Sequence, residues 1–318
     1  MTAYIIRRLI LAIIVLVIVT LMVFLAMRLL PGDPILMIVT RGELTTTTEE
    51  EIAALRHQYG LDKPIMVQYV TWLANVTRGD FGQSITQHQP VIKEIVRRLP
   101  ITLHLSLLAF FISIIIGIPA GVVCAVRRGT WIDTVVTVLA NLGITIPIFW
   151  LGIMMIYLFA LELRWLPVFG YTSPFVNFWQ STRQLVMPVF CLAIFPIASA
   201  ARQTRSSMLE VMRQDYIRTA WSKGLRERMI VIRHALKNAL IPVVTLKGMS
   251  LSHIIGGSVL IETVYNIPGT GRLAVSGVFS QDYMVVQAMV FFIAVTVLLV
   301  NLIIDISYGW LDPRIRYG

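Results

Sequence analysis

The sequence predicts an all-α integral membrane protein with six transmembrane helices. Hydrophobic residues make up 57% of the chain and charged residues only 14%, whereas soluble domains have about 25% charged residues. The mean hydropathy of +0.77 indicates apolar surface that needs lipid to cover it. The apolar residues also fall into six segments of the length that a spanning helix requires, roughly 20 residues. These segments are residues 9–30, 101–126, 134–161, 185–201, 239–260 and 284–310.

The first span resembles a signal peptide, because Arg7 and Arg8 precede its apolar run. An uncleaved membrane anchor is the preferred interpretation. The apolar run is longer than a signal-peptide core, and no small-x-small cleavage site follows it.

The distribution of Lys and Arg predicts the orientation. With the N-terminus inside, the inner segments hold 15 Lys and Arg residues, and the short outer loops hold only Arg164, Arg183 and Arg272. Cytoplasmic loops carry the excess of positive charge. Both termini are therefore predicted to be cytoplasmic, and the formal net charge of +10 is attributed to topology rather than to nucleic acid.

The outer segment, residues 31–100, is predicted to fold as a small helical insertion. Thr48 can cap a helix whose first turn carries three glutamates, and Gly60 can end it. Pro64 opens a second amphipathic helix, whose apolar positions are Ile65, Tyr69, Trp72 and Leu73. A third short helix, residues 91–99, leads into the second span. The insertion is either a structural lid or a docking surface for a solute-delivering protein, and both readings stay open.

A polar island, residues 202–237, interrupts the apolar sequence between the fourth and fifth spans. It carries nine of the 27 Lys and Arg residues. Asp215 is a good N-cap for a short helix, and Gly224 can end that helix. One face is predicted to hold Ile217, Ala220, Trp221 and Leu225, and another Arg218, Ser222 and Arg226. Such a helix either meets a protein partner or lies in lipid headgroups.

Several types of chemistry have no motif in the sequence. It contains no Walker-type phosphate loop, no His-Glu-x-x-His and no Gly-x-Ser-x-Gly. None of the five histidines stands at metal-ligand spacing to another, so no metal site is predicted. Cys124 and Cys191 lie in apolar runs and are predicted to be buried free thiols. We therefore expect neither a cofactor nor catalysis in this chain.

Charged residues within the spans are few. Lys247 and Glu262 flank much of the fifth span, and Asp305 lies in the sixth. Such residues usually face a bundle interior or a cavity. They could line a solute path, or pair with each other or with a second subunit. Spans one to four carry no acidic residue at mid-depth, which argues against a proton-coupled secondary transporter.

Helix packing is predicted from small residues and prolines. Gly117-x-x-x-Gly121 allows two helices to approach closely. Four prolines lie within spans, where neighbouring helices can satisfy the carbonyls that they free. They are Pro119, Pro147, Pro188 and Pro196.

Short motifs along nearly the whole chain resemble one family of membrane proteins. In chain order they are Pro31-Gly32-Asp33-Pro34, Gly60-Leu61-Asp62-Lys63-Pro64, Thr204 to Glu210, Asp215 to Ala220, Lys223-Gly224-Leu225, His234 to Ala239, Pro268-Gly269-x-Gly271 and Asp312 to Arg316. Each motif alone is weak, but their joint order and spacing are specific. Together they resemble the permease subunits of ABC importers in the dipeptide/oligopeptide/nickel family.

The resemblance implies that the helix of the island is a coupling helix, which inserts into a groove of a separate ATPase subunit. The residues given this role are Tyr216, Ile217, Arg218, Thr219, Ala220, Trp221, Ser222, Lys223, Gly224 and Leu225. The general ABC-permease signature has a Glu where this chain has Arg218. Its Pro, matched here by Pro242, also stands closer to the Gly.

The resemblance also implies partners, location and substrate. The chain would pair with a second homologous permease subunit, two cytoplasmic ATPase subunits that bind ATP and Mg²⁺, and an extracytoplasmic solute-binding protein. It would lie in a bacterial or archaeal inner membrane. The expected substrates are short peptides, with nickel chelates or glutathione as alternatives within the family.

The predicted domain organisation has three parts. These are an N-terminal helix (residues 1–30), an extracytoplasmic insertion (31–100) and a five-helix permease core (101–318) with its coupling helix near 215–226. Two other function classes remain as alternatives, a stand-alone secondary transporter or channel and an intramembrane enzyme. The first would transport without ATP, and the second would need polar mid-depth residues for which no candidate set is seen.

Overall fold

The computed structural model describes residues 2–29, 49–58 and 60–311. The elements in these ranges are helices, apart from one isolated antiparallel bridge between Gln83 and Pro90. In chain order they are α1 (Thr2–Leu29), α2 (Glu49–Gln58), α3 (Ile65–Thr77), α4 (Val91–Val126), α5 (Trp131–Thr145), α6 (Ile148–Met155), α7 (Phe178–Val211), α8 (Asp215–Ser222), α9 (Glu227–Met229), α10 (Leu236–Val264), α11 (Thr270–Phe279) and α12 (Tyr283–Leu311). π-Helical turns follow α6 (Ile156–Glu162) and α9 (Ile230–Ala235). The predicted all-α class is confirmed.

Four of the described helices are long and apolar enough to cross a membrane, namely α1, α4, α7 and α12. Two bent pairs raise the number to six if each pair forms one span. They are Trp131–Thr145 with Ile148–Glu162, bent by 105°, and Glu227–Val244 with Leu246–Val264, bent by 42°. The six predicted segments lie in these helices, except for Leu30, which is outside the described residues.

The third predicted span, residues 134–161, is broken rather than continuous. Ile146 is extended (φ −70°, ψ 124°) and Pro147 follows it (φ −62°, ψ 127°), so α5 ends and α6 begins in a new direction. The ring of a proline disfavours the helical conformation of the residue before it, and the proline has no N–H for the helix ladder. Pro147 therefore bends this segment far more than the kink that the sequence suggests.

The helix predicted at residues 91–99 is not separate from the second span. Both belong to α4, which runs for 36 residues through Pro100 and Pro119. At 1.5 Å per residue it is about 54 Å long, well beyond a hydrocarbon core of about 30 Å. One end of α4 must therefore project from a bilayer.

The chain divides into two packing units. The first consists of Ile101–Pro268 with Leu299–Gly318, and the second of Thr2–Pro100 with Gly269–Leu298, as far as these ranges are described. The division predicted from the sequence at residues 30 and 100 stays a prediction.

In the first packing unit, Gly117 and Gly121 bring α4 against α7. A Cβ added to Gly121 would lie 2.5 Å from the Ala201 carbonyl oxygen, and one added to Gly117 would lie 2.8 Å from the Ala200 Cβ. Only hydrogen fits at these two positions. The close approach predicted from Gly-x-x-x-Gly is confirmed.

In the second packing unit, α3 packs its aromatic face against α1. Tyr69 and Trp72 are buried, and the Tyr69 hydroxyl lies 3.0 Å from the Thr20 hydroxyl of α1. Phe24 of α1 meets the Tyr69 ring edge-on at 5.4 Å. The predicted apolar face of α3 is confirmed at Tyr69 and Trp72, whereas Ile65 is 43% exposed because it stands in the first turn.

A buried carboxylate organises the loop before α4. Asp282 is fully buried, and its Oδ2 accepts hydrogen bonds from Ser84 Oγ at 2.6 Å and from the Thr86 N–H at 3.1 Å. Its Oδ1 accepts the Val285 N–H at 3.2 Å, which caps α12. One side chain thus fixes both the loop and the start of a spanning helix.

Glycine ends α2 as predicted. Gly60 has φ +64°, its N–H donates to the His57 carbonyl, and the Leu61 N–H donates to the Arg56 carbonyl. This is a Schellman motif. The proposed cap, Thr48, lies outside the described residues. Just after the motif, a hydrogen bond from His57 lowers the pKa of Asp62.

Candidate functional site

The polar island is built from the end of one long helix and a short helix that follows. Residues 202–211 continue α7 without a break, and α8 begins after a turn of three residues. The predicted fourth span and the start of the island are therefore one helix of 34 residues.

The start of α8 differs from the prediction. Gln214 is the capping residue, with extended backbone, and Asp215 is the first helical residue. The Asp215 side chain is 96% exposed and makes no capping hydrogen bond. Its carboxylate still stands in the first turn, where negative charge suits the positive end of the helix.

The end of α8 matches the prediction. Gly224 has φ +72°, a conformation that favours glycine. Its N–H donates to the Trp221 carbonyl at 2.9 Å, and the Leu225 N–H donates to the Ala220 carbonyl at 3.4 Å. These two bonds form a Schellman motif, so the direction of the chain after α8 is fixed by backbone geometry.

The inner face of α8 is narrow and well packed. Ile217 is fully buried and Ala220 is 6% exposed, in a cluster with Ala125 of α4 and Met208 of α7. Half-buried Leu225 packs on the same cluster. The prediction that Trp221 shares this face is wrong, since its side chain is 45% exposed. One step of 100° from Ala220 turns it away from so narrow a contact.

Three side chains of α8 outside the buried contact are exposed, two aromatic and one basic. Tyr216 and Trp221 are 43% and 45% exposed, and the Arg218 side chain is 76% exposed. The Asn238 amide of α10 donates to the Tyr216 hydroxyl at 2.8 Å, which ties the ring to a second helix. At 100° per residue, Tyr216 and Trp221 lie about 140° apart, on the two flanks of the buried face, and Arg218 lies opposite that face. The exposed surface of α8 is thus bordered by two aromatic rings.

An ion pair that the sequence did not reveal braces α7 just before α8. Arg205 of α7 donates to Asp133 of α5 through Nε at 2.6 Å and through a terminal nitrogen at 2.9 Å. The Asp133 carboxylate also accepts the Gly129 N–H at 3.1 Å. The two residues stand 72 positions apart. In the sequence, the only sign of this ion pair is an acidic residue in the first turn of a helix that carries no other charge.

Lys247 joins three helices rather than pairing with an acid. Its ammonium is buried in α10 and donates to Ser113 Oγ of α4 at 2.8 Å and to the Pro196 carbonyl of α7 at 2.9 Å. Both acceptors are neutral. The contacts make Lys247 a cross-link within the first packing unit.

Glu262 is fully buried at the other end of α10. It accepts a hydrogen bond from Thr102 Oγ1 of α4 at 2.7 Å. Asp305 belongs to the helix α12, but the structure does not describe the contacts of its side chain. The sequence left open whether Lys247 and Glu262 pair with each other, and no such pair occurs among the described contacts.

The first packing unit also holds an apolar cavity of about 460 Å³. Its wall includes His104 of α4, Phe178 and Ser181 of α7, and Pro174 of the preceding loop. Ser181 Oγ is buried and has no hydrogen-bond partner among the described residues. His104 Nδ1 lies 3.1 Å from the Tyr171 hydroxyl, so its ring is held at the wall.

The described residues contain no group of three His, Cys, Asp or Glu side chains that could hold a metal ion. Cys124 and Cys191 are both buried free thiols, as predicted.

Four apolar helices of spanning length and two bent apolar pairs indicate that the chain is a multi-pass membrane protein. Two family models match it. The model described as binding-protein-dependent transport system inner membrane component matches residues 117–317, and the N-terminal model of the same system matches residues 1–108. The chain belongs to this family.

Individual proteins agree with the family. A peptide transport system permease protein of Brucella abortus is 45% identical over the full length of both chains. The oligopeptide transport system permease protein of Bacillus subtilis is 40% identical, again over both full lengths. A solved structure of the methionine ABC transporter MetNI in an inward-facing conformation covers 69% of this chain and 96% of its own, with a TM-score of 0.57 and 21% identity. That structure shows that the fold is shared.

Proposed function

We propose that this chain is the permease subunit of an ATP-driven importer of short peptides and that α8 couples it to a separate ATPase subunit. The observation that carries the proposal is the two-sided construction of α8. Ile217 and Ala220 anchor one side in the cluster, while Arg218 stays exposed on the opposite side and Tyr216 and Trp221 on the flanks. Family membership and the peptide permeases among the relatives support it.

The coupling mechanism requires α8 to move as a rigid body with the helices that hold it. ATP binding closes the ATPase pair, and the closed pair favours one position of α8 over another. A ligand shifts a conformational equilibrium only through such differential binding. The Schellman motif at Gly224 and the Tyr216–Asn238 hydrogen bond supply the rigidity. The surface assigned to coupling is Tyr216 to Leu225, and catalysis belongs to the partner.

The assembly that we propose contains a second, homologous permease subunit, two cytoplasmic ATPase subunits with ATP and Mg²⁺, and an extracytoplasmic solute-binding protein. All six spans cross the inner membrane, and both termini are cytoplasmic. The excess of Lys and Arg in the inner segments supports this orientation. It places α8 on the side of the ATPases and the insertion of residues 31–100 on the side of the binding protein.

Within the membrane, we assign Lys247 and Glu262 to holding the walls of the pathway together. Their hydrogen bonds to α4 and α7 support this role. Asp305 remains a candidate for the pathway or for the contact with the second permease. The cavity beside His104 and Ser181 is our candidate for solute contact, since apolar walls with a few polar atoms suit peptide side chains. Nickel chelates and glutathione are the alternative substrates.

The test of coupling compares two substitutions at Gly224 in the reconstituted complex with its ATPases and binding protein. Gly224→Val should uncouple ATP hydrolysis from peptide uptake, because a β-branched residue strains φ +72°. A Cβ there meets nothing within 4 Å, so the effect comes from backbone conformation alone. Gly224→Asn should retain uptake, since Asn tolerates this region. Normal uptake by the valine variant would disprove the coupling role.

A stand-alone transporter or channel, the alternative class, would take up solute in proteoliposomes that contain only this chain. The permease subunit that we propose should show no uptake there, with or without ATP. Uptake by the chain alone would contradict the proposal.

A further inference from the structure

A cavity of about 130 Å³ lies in the second packing unit, at the end of the apolar stretch of α1. Its wall includes Arg28 of α1, Gln68 and Trp72 of α3, and Gln287 of α12. Each brings a buried polar atom that has no hydrogen-bond partner among the described residues: Arg28 Nε, Gln68 Oε1, Trp72 Nε1 and Gln287 Nε2. Buried polar atoms are rarely left unpaired, and four around one cavity indicate a ligand site.

Three of the four atoms are hydrogen-bond donors, and one of them is cationic. Trp72 and Gln287 are 8% and 2% exposed, so their N–H groups cannot turn to solvent. The Arg28 guanidinium lies over the rings of Phe24 and Tyr283, at 5.3 and 5.7 Å from their centroids. A fixed cation with two buried N–H donors matches an oxyanion, because charge-assisted hydrogen bonds are the strong ones.

The same cavity also offers acceptors. The Gln68 amide nitrogen donates to the Lys63 carbonyl at 2.6 Å and to the Leu61 carbonyl at 3.2 Å, which leaves the amide oxygen as the unpaired atom. Asp80 lines the cavity as well, and its Oδ1 accepts the Gly82 N–H at 2.9 Å. A carboxylate and an amide oxygen beside an oxyanion site suit a ligand that also carries an ammonium group.

We propose that this cavity binds a phosphate group bearing an amine, the chemistry of an ethanolamine headgroup. The cavity volume of about 130 Å³ is below the ~300 Å³ at which pockets for drug-sized ligands begin. The site therefore takes a headgroup rather than a transported peptide. It lies where the apolar stretch of α1 ends, at the level where headgroups meet a spanning helix whichever way that helix crosses. The site is independent of transport.

The test measures ligand binding to the purified full-length chain, first depleted of lipid in detergent. Two probes distinguish a soluble ligand from a lipid headgroup: soluble phosphoethanolamine and a short-chain phosphatidylethanolamine. Short-chain phosphatidylcholine is the comparison, since its quaternary ammonium has no N–H to donate. We expect both ethanolamine probes to bind, with the lipid tighter if the membrane is the source, and the choline lipid to bind more weakly.

Two variants remove the donors. Trp72→Phe deletes the indole N–H and keeps an aromatic ring, and Gln287→Glu replaces a donor with a negative charge. Each should weaken binding by about tenfold or more, the loss expected for a hydrogen bond to a charged group. Trp179→Phe, on a ring that is 75% exposed in the other packing unit, is the matched control and should change nothing.

Melting curves show whether each variant is folded. If Trp72→Phe does not fold, the binding measurement on Gln287→Glu tests the site. Binding of neither ethanolamine probe, or unchanged binding in folded Trp72→Phe and Gln287→Glu, would overturn the phosphate site. Equal binding of the choline lipid would overturn the assignment of the amine.

Discussion

The ion pair between Arg205 and Asp133 holds α7 at the point from which the island extends. Two parallel N–H···O bonds give it a fixed direction, and the Asp133 side chain is only 8% exposed. Losing one partner leaves the other charge poorly solvated, which costs more than the pair contributes. The end of α7, from which α8 follows, is therefore tied to α5.

Asp133→Asn should lower the stability of the purified chain by about 2 kcal/mol, because the bidentate pair is lost. Thermal denaturation in detergent, followed by size-exclusion chromatography, measures the change. Arg202→Gln, on an exposed arginine of α7, is the control and should be near neutral. A double variant, Asp133→Asn with Arg205→Gln, should lose less than the sum of the single changes. Simple additivity would argue against the coupling of the two side chains.

Alanine substitutions at two glycines, Gly121 inside the contact between α4 and α7 and Gly256 outside it, test how close that contact is. Gly121→Ala should destabilise the chain by about 1–3 kcal/mol, because the new methyl group overlaps the Ala201 carbonyl and Thr204. In Gly256→Ala the methyl group meets nothing within 4 Å, so helix propensity should stabilise α10 by up to about 1 kcal/mol. The same thermal measurement compares them, and equal shifts would refute the packing argument.

At the scale of the element, α8 shows what periodicity can and cannot predict. The spacing of apolar residues and Gly224 define the helix and its end, because both are local properties of the chain. The buried width of the helix is set by how α4, α7 and the residues that follow α8 pack against it, which the spacing within α8 does not encode. Trp221 was therefore misplaced, and so was the N-cap, which Gln214 supplies by backbone conformation alone.

The exposure of Trp221 leads to a prediction about docking. Trp221→Ala should leave the folding of the chain almost unchanged, since the ring is 45% exposed, but should weaken association with the ATPase subunit. Tryptophans at the centre of interfaces commonly contribute at least about 2 kcal/mol, or roughly 30-fold in affinity. Trp131→Ala, at a 74% exposed ring outside α8, is the control. Pull-down and stimulated ATP hydrolysis are the measurements, and equal effects at both sites would contradict the docking surface.

At the scale of the whole molecule, the positions of the apolar helices were predictable, because hydropathy depends only on composition within a window. The continuity of the helices was not. Pro147 bends its segment by 105°, whereas Pro100 and Pro119 stay inside the continuous helix α4. Whether a proline breaks a helix depends on which neighbours satisfy the freed carbonyl, and those neighbours are known only from the fold.

The cavity beside His104 gives a prediction at this scale. Ser181→Phe should fill part of its 460 Å³ and lower peptide uptake several-fold, while ATP hydrolysis without peptide stays normal. Val176→Phe, at an 82% exposed position outside the cavity wall, is the control. Transport assays in proteoliposomes compare peptide uptake by the Ser181→Phe and Val176→Phe variants. Unchanged uptake by the Ser181 variant would exclude the cavity from the pathway.

The length of α7 has a mechanical consequence. Its 34 residues extend for about 51 Å at 1.5 Å each, more than the ~30 Å of a hydrocarbon core. Pro188 and Pro196 each remove one N–H from its hydrogen-bond ladder, but the helix has no break between Phe178 and Val211, so a load applied at one end is passed along a continuous helix rather than absorbed in a loop. Because α8 starts four residues after Val211, the coupling that we propose acts on α7 as well as on α8.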